Sequence, residues 1–452
     1  MTLPFGLSGW FRAAPMDGFV HPEFLSVATT LRRLLTSHPG GAAVCVYHRG
    51  RCVADLWGGY RDDQGTPWTR STMAPSFSTT KGVASTLLHR LVDRGLVEYD
   101  TPVAHYWPEF GQEGKAAITV RQVLAHQSGL YHIRQMIDRA DRMLDWKFMI
   151  RTIEQTRPAH EPGTRTGYHG LTYGYLVGEI AQRVTGRSFP DLVRDEIAGP
   201  LDLDGMYIGA PVDQLHRSAR LFMSKRNIFD LLRLGLGRGA GGEIGETIES
   251  AARQTQRMLD GIGIRLDLPS MLDALAPRGI TAFDFSADET LQAPIPAANG
   301  LFTARSLAKM YAALAGGGTL DGVQLLSPET LGRATELQAP PGGGRLVIPF
   351  DMRWRLGYHG VFTTRGIPRC AFGHFGFGGS GAWADPRRDL AVGFIVNSGL
   401  GTPFGDSRTV RISGAALAAA NGRATPAAPV DIAGGCDEGE TGLSRAVGGS
   451  HG

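Results

Sequence analysis

An α+β fold is what this chain predicts, from a β-hairpin pattern near its N-terminus, a second pair of β-type runs near its C-terminus, and amphipathic helices between them. The N-terminal pair is Ala42–Tyr47 and Arg51–Trp57, with His48-Arg49-Gly50 as the turn. The C-terminal pair is Ser380–Ala384 and Leu390–Asn397, joined through Asp385-Pro386-Arg387-Arg388. Strands from both ends are expected to share one antiparallel sheet flanked by helices. The middle, about residues 85–300, then reads as a mostly helical inserted region.

Each helix has its own pattern. His21–Ser37 places Phe24, Val27, Leu31 and Leu35 on one face. In Thr79–Arg94, Val83, Leu87 and Leu91 recur every four residues; Arg90 and Arg94 occupy the last turn and Gly95 is the stop. Ile118–Ala125 reads as a short helix ended by Ser128-Gly129. Leu171–Val184 lines Tyr173, Leu176, Val177, Ile180 and Val184 on one face and is closed by Gly186.

Two regions read as peripheral to a single domain over 1–420. Residues 221–294 mix short amphipathic stretches with the glycine-rich run Gly235–Gly245, compatible with a cap, a mobile lid or a decorative insertion. Beyond Gly422 the chain is rich in Ala, Gly, Pro and acidic residues and poor in large apolar ones, so 421–452 is expected to be a disordered tail.

Composition narrows the function classes. The 452 residues are 42% hydrophobic, an ordinary share for a chain that buries a core, and the net charge is only +3. Basic residues are scattered, which argues against a nucleic-acid partner. Lysine is scarce, with five against 41 arginines, so a lysine beside a serine is less easily a coincidence. Cys45, Cys52, Cys370 and Cys436 lack CxxC or metal-ligand spacing, and no metal or organic cofactor is implied. Met1–Pro15 has no basic region followed by an apolar run, so the expectation is a cytoplasmic protein with free thiols. No uncharged apolar stretch of about 18 residues exists, so no transmembrane segment is expected.

Two patterns compete for a nucleophilic serine. The elbow G-x-S-x-G needs a strand before it and a helix after it. Its one match, Gly448-Gly449-Ser450-His451-Gly452, ends the tail with neither, and is set aside. The pattern S-x-x-K puts a serine and a lysine on one helix face, one turn apart, where the amine can reach the hydroxyl. Ser78-Thr79-Thr80-Lys81 and Ser306-Leu307-Ala308-Lys309 both satisfy it. Ser306 opens a helix (Leu307, Met310, Tyr311, Leu314) and reads as its N-cap. Capping is also the bland alternative for Ser78. Ser78, however, follows an apolar, turn-rich approach (Ala74-Pro75-Ser76-Phe77) and begins an interior-looking helix. There the helix dipole favours negative charge on its oxygen. Lys81 can serve as a base only if burial or a nearby cation lowers its pKa by several units from about 10.4.

The stretch Phe77-Ser78-Thr79-Thr80-Lys81, followed by Leu91–Val103 (LVDRGLVEYDTPV) and Ile118–Leu130 (ITVRQVLAHQSGL), resembles the serine β-lactamase/penicillin-binding-protein superfamily. The branch it looks closest to holds class C β-lactamases and family VIII carboxylesterases. The resemblance runs from about residue 20 to about 420, weakest across 221–294, and implies a β-lactamase/transpeptidase-like fold.

That family carries a tyrosine in Y-x-N after a Pro-Gly turn. Here Glu161-Pro162-Gly163 leads to Tyr168-His169-Gly170, so the resemblance makes Tyr168 the second catalytic group, with an ordinary amphipathic tyrosine as the alternative. Gly170 replaces the family asparagine. The counterpart of the K-T-G strand is His374-Phe375-Gly376. Gly376 would let substrate approach the backbone, and the N–H groups of Ser78 and Phe377 would form the oxyanion hole. His374 stands where the family has a lysine; it would carry partial charge, hydrogen-bond, or merely pack on the sheet. His126, His132 and His160 read as structural.

The implied reaction is hydrolysis of a small-molecule carboxylic ester through a Ser78 acyl-enzyme, with the choice between Lys81 and Tyr168 as formal base left open. Gly170 and His374 tilt the balance away from β-lactams and D-amino-acid peptides. An acyltransferase with the same site, or a non-catalytic relative that only binds, are the rivals. The oligomeric state is not legible.

Overall fold

The N-terminal hairpin forms where its turn residues allow it. Strands β1 (Met16–Val20), β2 (Gly41–His48) and β3 (Arg51–Gly59) are consecutive antiparallel partners in the order β2-β3-β1. Arg49 (φ 52°) and Gly50 (φ 71°) make the tight turn, whose left-handed pair matches the twist of the strands it joins. The computed structural model describes residues 15–223, 267–340, 344–348, 350–399, 405–422 and 430–431.

The C-terminal runs enter the same sheet, as expected. β4 (His359–Gly360), β5 (Phe372–Phe375), β6 (Gly381–Asp385) and β7 (Leu390–Val396) form an antiparallel meander, and β7 then pairs with β2. Val46 faces Val392 and Val44 faces Phe394 across that junction. A last strand, β8 (Val430–Asp431), pairs with β1, giving the order β4-β5-β6-β7-β2-β3-β1-β8. Of the tail expected over 421–452, Val430–Asp431 forms this strand; its remainder beyond Gly422, with Ser450, lies outside the described residues.

Period-two alternation sends neighbouring residues to two cores. Val44 and Val46 of β2, with Val392 and Phe394 of β7, pack against helices α1 (Leu25–Ser37) and Ser407–Asn421. Ala43 and Cys45, with Ala391 and Ile395, face the other way into a larger core shared with the inserted helices. That core contains α2 (Thr79–Asp93), α3 (Thr172–Thr185) and α4 (Ala304–Ala315). At Gly393 a Cβ would stand 2.2 Å from the Ala304 carbonyl oxygen, so glycine there lets the start of α4 lie directly on the sheet.

The helix ends follow their signals. α2 runs through Asp93 and the chain turns at Gly95 (φ 70°). α3 ends on Gly186 in the left-handed conformation. The short helix Val120–Leu124 is held by a full capping box between Thr119 and Gln122. Ser306 corrects one expectation: the cap of α4 is Thr303, whose side chain accepts the Ser306 N–H, and Ser306 lies inside the helix. Cys45 and Cys52 are free thiols with sulfurs 3.6 Å apart, Cys370 is free and exposed, and Cys436 lies outside the described residues.

Candidate active site

Ser78 is delivered by a sharp turn. Ala74–Pro75 pairs with Leu301–Phe302, and the Ser76 N–H donates to Gly300 O at 2.9 Å. Phe77 then takes φ 45°, an unusual value for an aromatic residue, and α2 begins. Ser78 makes no capping bond with its side chain. Its hydroxyl oxygen instead lies 2.8 Å from the Tyr168 hydroxyl, which donates to it, and 3.0 Å from Lys81 Nζ. The bland capping alternative is not what this serine does.

Lys81 is fully buried one turn further on, and Nζ donates to two backbone carbonyls, Gly170 O at 2.6 Å and Ala297 O at 2.9 Å. Burial pushes its ammonium well below the ordinary lysine range. A neutral amine has two N–H bonds and one lone pair. A neutral amine here, with both N–H bonds on the carbonyls, would turn its lone pair to Ser78 Oγ, 3.0 Å away.

Tyr168 follows the short strand Arg165–Gly167 and is 1% exposed. Its ring stacks on Trp354 (centroids 5.5 Å apart, planes 16° apart) and meets the edge of His126 at 5.0 Å. Burial raises its phenol above the ordinary tyrosine value, so it sits beside Ser78 as a neutral donor.

His374 lies on β5, buried, with Nδ1 donating to Phe375 O at 3.0 Å. Behind it His359 donates from Nδ1 to Gly360 O (2.7 Å) and accepts the Phe375 N–H on Nε2 (3.0 Å), its ring 4.7 Å from that of His374. Burial first, then His359 and Lys81, depress His374 well below the usual imidazole value. The ring is neutral. Of the roles open to His374 the hydrogen bond is the one seen, and burial weighs against charge on the ring.

Two glycines are closely approached by neighbouring segments. A Cβ on Gly376 would stand 2.3 Å from Ser76 O and 3.0 Å from Thr79 Oγ1, so Gly376 lets the loop that carries Ser78 close onto the end of β5. A Cβ on Gly170 would stand 2.4 Å from Ala274 O and 2.6 Å from Leu275 Cδ2. Helix α5 (Leu268–Leu275) therefore fills the direction in which a residue-170 side chain would extend. α5 lies between α3 and α4 in the chain, so part of the variable region 221–294 packs over Gly170; Gly235–Gly245 lies outside the described residues.

Ser78, Lys81 and Tyr168 thus meet, with His374, Gly376 and Phe377 at the adjoining strand end. Ser306 does not join them: its hydroxyl donates to Asp204 O at 2.6 Å. His126 accepts the His169 N–H and packs on Tyr168, Tyr173 and Trp354. His160 donates to Glu161 O and stacks with Tyr131, which also meets His132. Ala297, Trp354 and His359 are site residues that the sequence reading missed. A backbone carbonyl carries no side-chain signal, His359 is placed by β4, and Trp354 comes from the loop before that strand. Among the described residues no cluster of three or more His, Cys, Asp or Glu could hold a metal ion.

The Beta-lactamase family profile matches residues 27–417. This chain belongs to that family. Three similar proteins agree with the assignment. The chain is 36% identical over 384 residues to the esterase/β-lactamase LipL of Mycobacterium tuberculosis, covering 84% of this chain and 82% of LipL. A penicillin-binding-protein homologue from Caulobacter crescentus superposes with a TM-score of 0.73 at 34% identity, over 90% of this chain and 100% of its own. A family VIII carboxylesterase gives the same TM-score at 31% identity, with the same coverage. This Beta-lactamase-family chain is accordingly a serine hydrolase, with the antiparallel sheet and helical region of that fold. No helix of the described residues is long and apolar enough to cross a membrane.

Proposed function

We propose that this protein is a carboxylesterase that works through an acyl-enzyme on Ser78. The observation that carries the reading is the hydrogen bonding at Ser78 Oγ, which has a buried amine at 3.0 Å and a neutral phenol at 2.8 Å. Lys81 takes the serine proton on its lone pair as Oγ bonds to the ester carbonyl carbon. The oxyanion is held by the N–H groups of Ser78 and Phe377, whose segments Gly376 allows to lie close together. The bond to the alkoxy oxygen then breaks. The alcohol leaves with the Tyr168 proton, which Lys81 restores. Water attacks the acyl-enzyme by the same route and releases the acid.

Esters are favoured over β-lactams by what surrounds this trio. His374 is neutral where a substrate carboxylate would call for a cation, and the Gly170 position has no amide. The likeness to a family VIII carboxylesterase supports the same choice. LipL, described as an esterase/β-lactamase, makes a lactam the second substrate to test.

The test offers chromogenic acyl esters and a chromogenic cephalosporin to the protein and to Ser78→Ala. Ester turnover is expected to fall about 10⁴-fold or more in Ser78→Ala. Unchanged activity in that variant would overturn the reading, and cephalosporin turnover matching that of the esters would make the protein a lactamase.

A further inference from the structure

Resting on the ester reading, we propose that the two halves of the substrate lie against separate apolar walls, both completed by residues 267–292: the alcohol half beneath α5, sized by Leu275, and the acyl half against Phe77, Phe377 and Phe285, sized by Phe285.

Reaction geometry separates the halves. At the tetrahedral carbon one substituent is Ser78 Oγ and another is the oxyanion beside the Ser78 and Phe377 N–H groups. The alkoxy oxygen must lie by Tyr168, because Tyr168 supplies its proton. The acyl chain takes the remaining direction, and it alone stays after the alcohol has gone.

The Tyr168 side is an apolar cluster. Tyr168 packs there with Val347, Ile348, Met352 and Trp354, and α5 closes it with Ala274, Met271 and Leu275, the last two half-buried. The helix is pinned at both ends. Asp267 caps it through the Ser270 N–H at 3.1 Å, and Arg134 donates to Ala276 O at 2.9 Å. Gln135 adds a bond to Asp273 at 2.6 Å. Ala274 O reaches so close to Gly170 that no side chain could be inserted between them. An alcohol leaving from Tyr168 therefore meets Leu275 and Met271, and position 170 offers it no side-chain amide.

The other wall grows from the residues flanking the nucleophile and the proposed oxyanion hole. The Phe77 ring lies 5.7 Å from Phe377 and 5.0 Å from Phe285, and Phe285 lies 4.9 Å from Phe283. Phe285 and Phe283 are only partly buried, which leaves apolar surface for a chain to cover. A fatty acyl or arylacyl group has the chemistry for it.

The experiment varies one half of the ester at a time. A series of acetates of primary, branched, cyclic and benzylic alcohols, followed by pH titration, reads the first wall. A 4-nitrophenyl series with acyl chains of increasing length reads the second. In Leu275→Ala the ratio of kcat/KM for bulky over small alcohols is expected to rise about 10-fold, with the acyl-length profile unchanged in shape. In Phe285→Ala the preference between long and short acyl chains is expected to change about 10-fold, with the alcohol profile unchanged. Profiles that stay parallel to wild type in both variants, or that exchange roles, overturn the proposal. Should Leu275→Ala not fold, Met271→Ala carries the same expectation. Wild-type turnover with parallel profiles defeats this proposal alone, whereas absence of ester turnover in the wild type defeats the ester reading with it.

Discussion

A buried lysine with only carbonyls and a hydroxyl for company holds its proton weakly, and Lys81 is in that position. No carboxylate pairs with it among the described residues. The unfolded chain, where the amine has its ordinary pKa, binds that proton more readily than the folded one. Stability from this site therefore rises with pH across the window from the depressed folded pKa up to about 10.4. The Lys81→Met variant should lose ester turnover about 10³-fold or more. In parallel urea titrations from pH 7 to pH 9, wild type should gain stability relative to Lys81→Met. A difference that stays flat from pH 7 to pH 9 would mean that Lys81 is folded as an ammonium. The acid limb of the kcat/KM profile should belong to the same group, because only the neutral amine accepts the serine proton. Tyr168→Phe should keep the serine but lose the donor to the alcohol, and so suffer most with esters of poor leaving groups.

Elements hold these residues at second hand. Helix α2 lies so close to α4 that a Cβ on Gly82 would stand 2.1 Å from Tyr311 Oη. Gly82→Ala should destabilise the protein by about 1–3 kcal/mol through overpacking. It should also lower kcat, since α2 carries both Ser78 and Lys81; a thermal melt and a rate on the same sample check both. The loop after β5 is clamped from the opposite side of the sheet by the helix Ser407–Asn421 (α6). Arg408, 2% exposed, donates to Gly378 O at 2.7 Å and to Ser398 O at 2.7 Å, and pairs with Asp406. Arg408→Met would leave Asp406 without its partner and release Gly378, beside Phe377. A loss of about 3–5 kcal/mol is expected in chemical denaturation. Activity should fall further than the unfolded fraction explains if the proposed oxyanion hole depends on that clamp.

On the scale of the whole molecule, the sheet joins the two ends of the catalytic domain through the β2–β7 pair. Phe394 and Val44 face each other there inside the core under α1 and α6. Phe394→Ala should cost about 3–5 kcal/mol, and its effect should couple to that of Val44→Ala by about 0.5 kcal/mol or more in a double-mutant cycle. The other global property is acid sensitivity. His126, His169, His359 and His374 are all buried and neutral, with His169 pushed down to about 3 and His359 to about 4. Unfolding frees them to protonate at about 6.5. Stability they support is complete above that pH and is lost as pH falls toward the folded values, by roughly 1 kcal/mol per imidazole per pH unit. A denaturation midpoint as high at pH 5 as at pH 7 would contradict this.

What local pattern could announce was announced. The β2–β3 hairpin was legible in Arg49-Gly50, α2 and α3 in their apolar spacing and closing glycines, and Ser78–Lys81 in the one-turn offset of a helix. Those signals depend on near neighbours in the chain, which is why they survive without coordinates. Ser306 shows their limit: the same four-residue pattern, with Thr303 rather than Ser306 as the cap, leads to an ordinary helix. Tertiary structure decided the rest. Burial, a property of the whole packing, pushes the Lys81 ammonium well below the ordinary lysine range and the His374 imidazole well below its own. The Gly170 and Ala297 carbonyls that hold Lys81 come from segments 89 and 216 residues away. Gly170 read as a missing amide, yet it is the place where α5 presses down onto the site. No sequence window spans such distances, because what selects these groups is the packing of remote segments against one another.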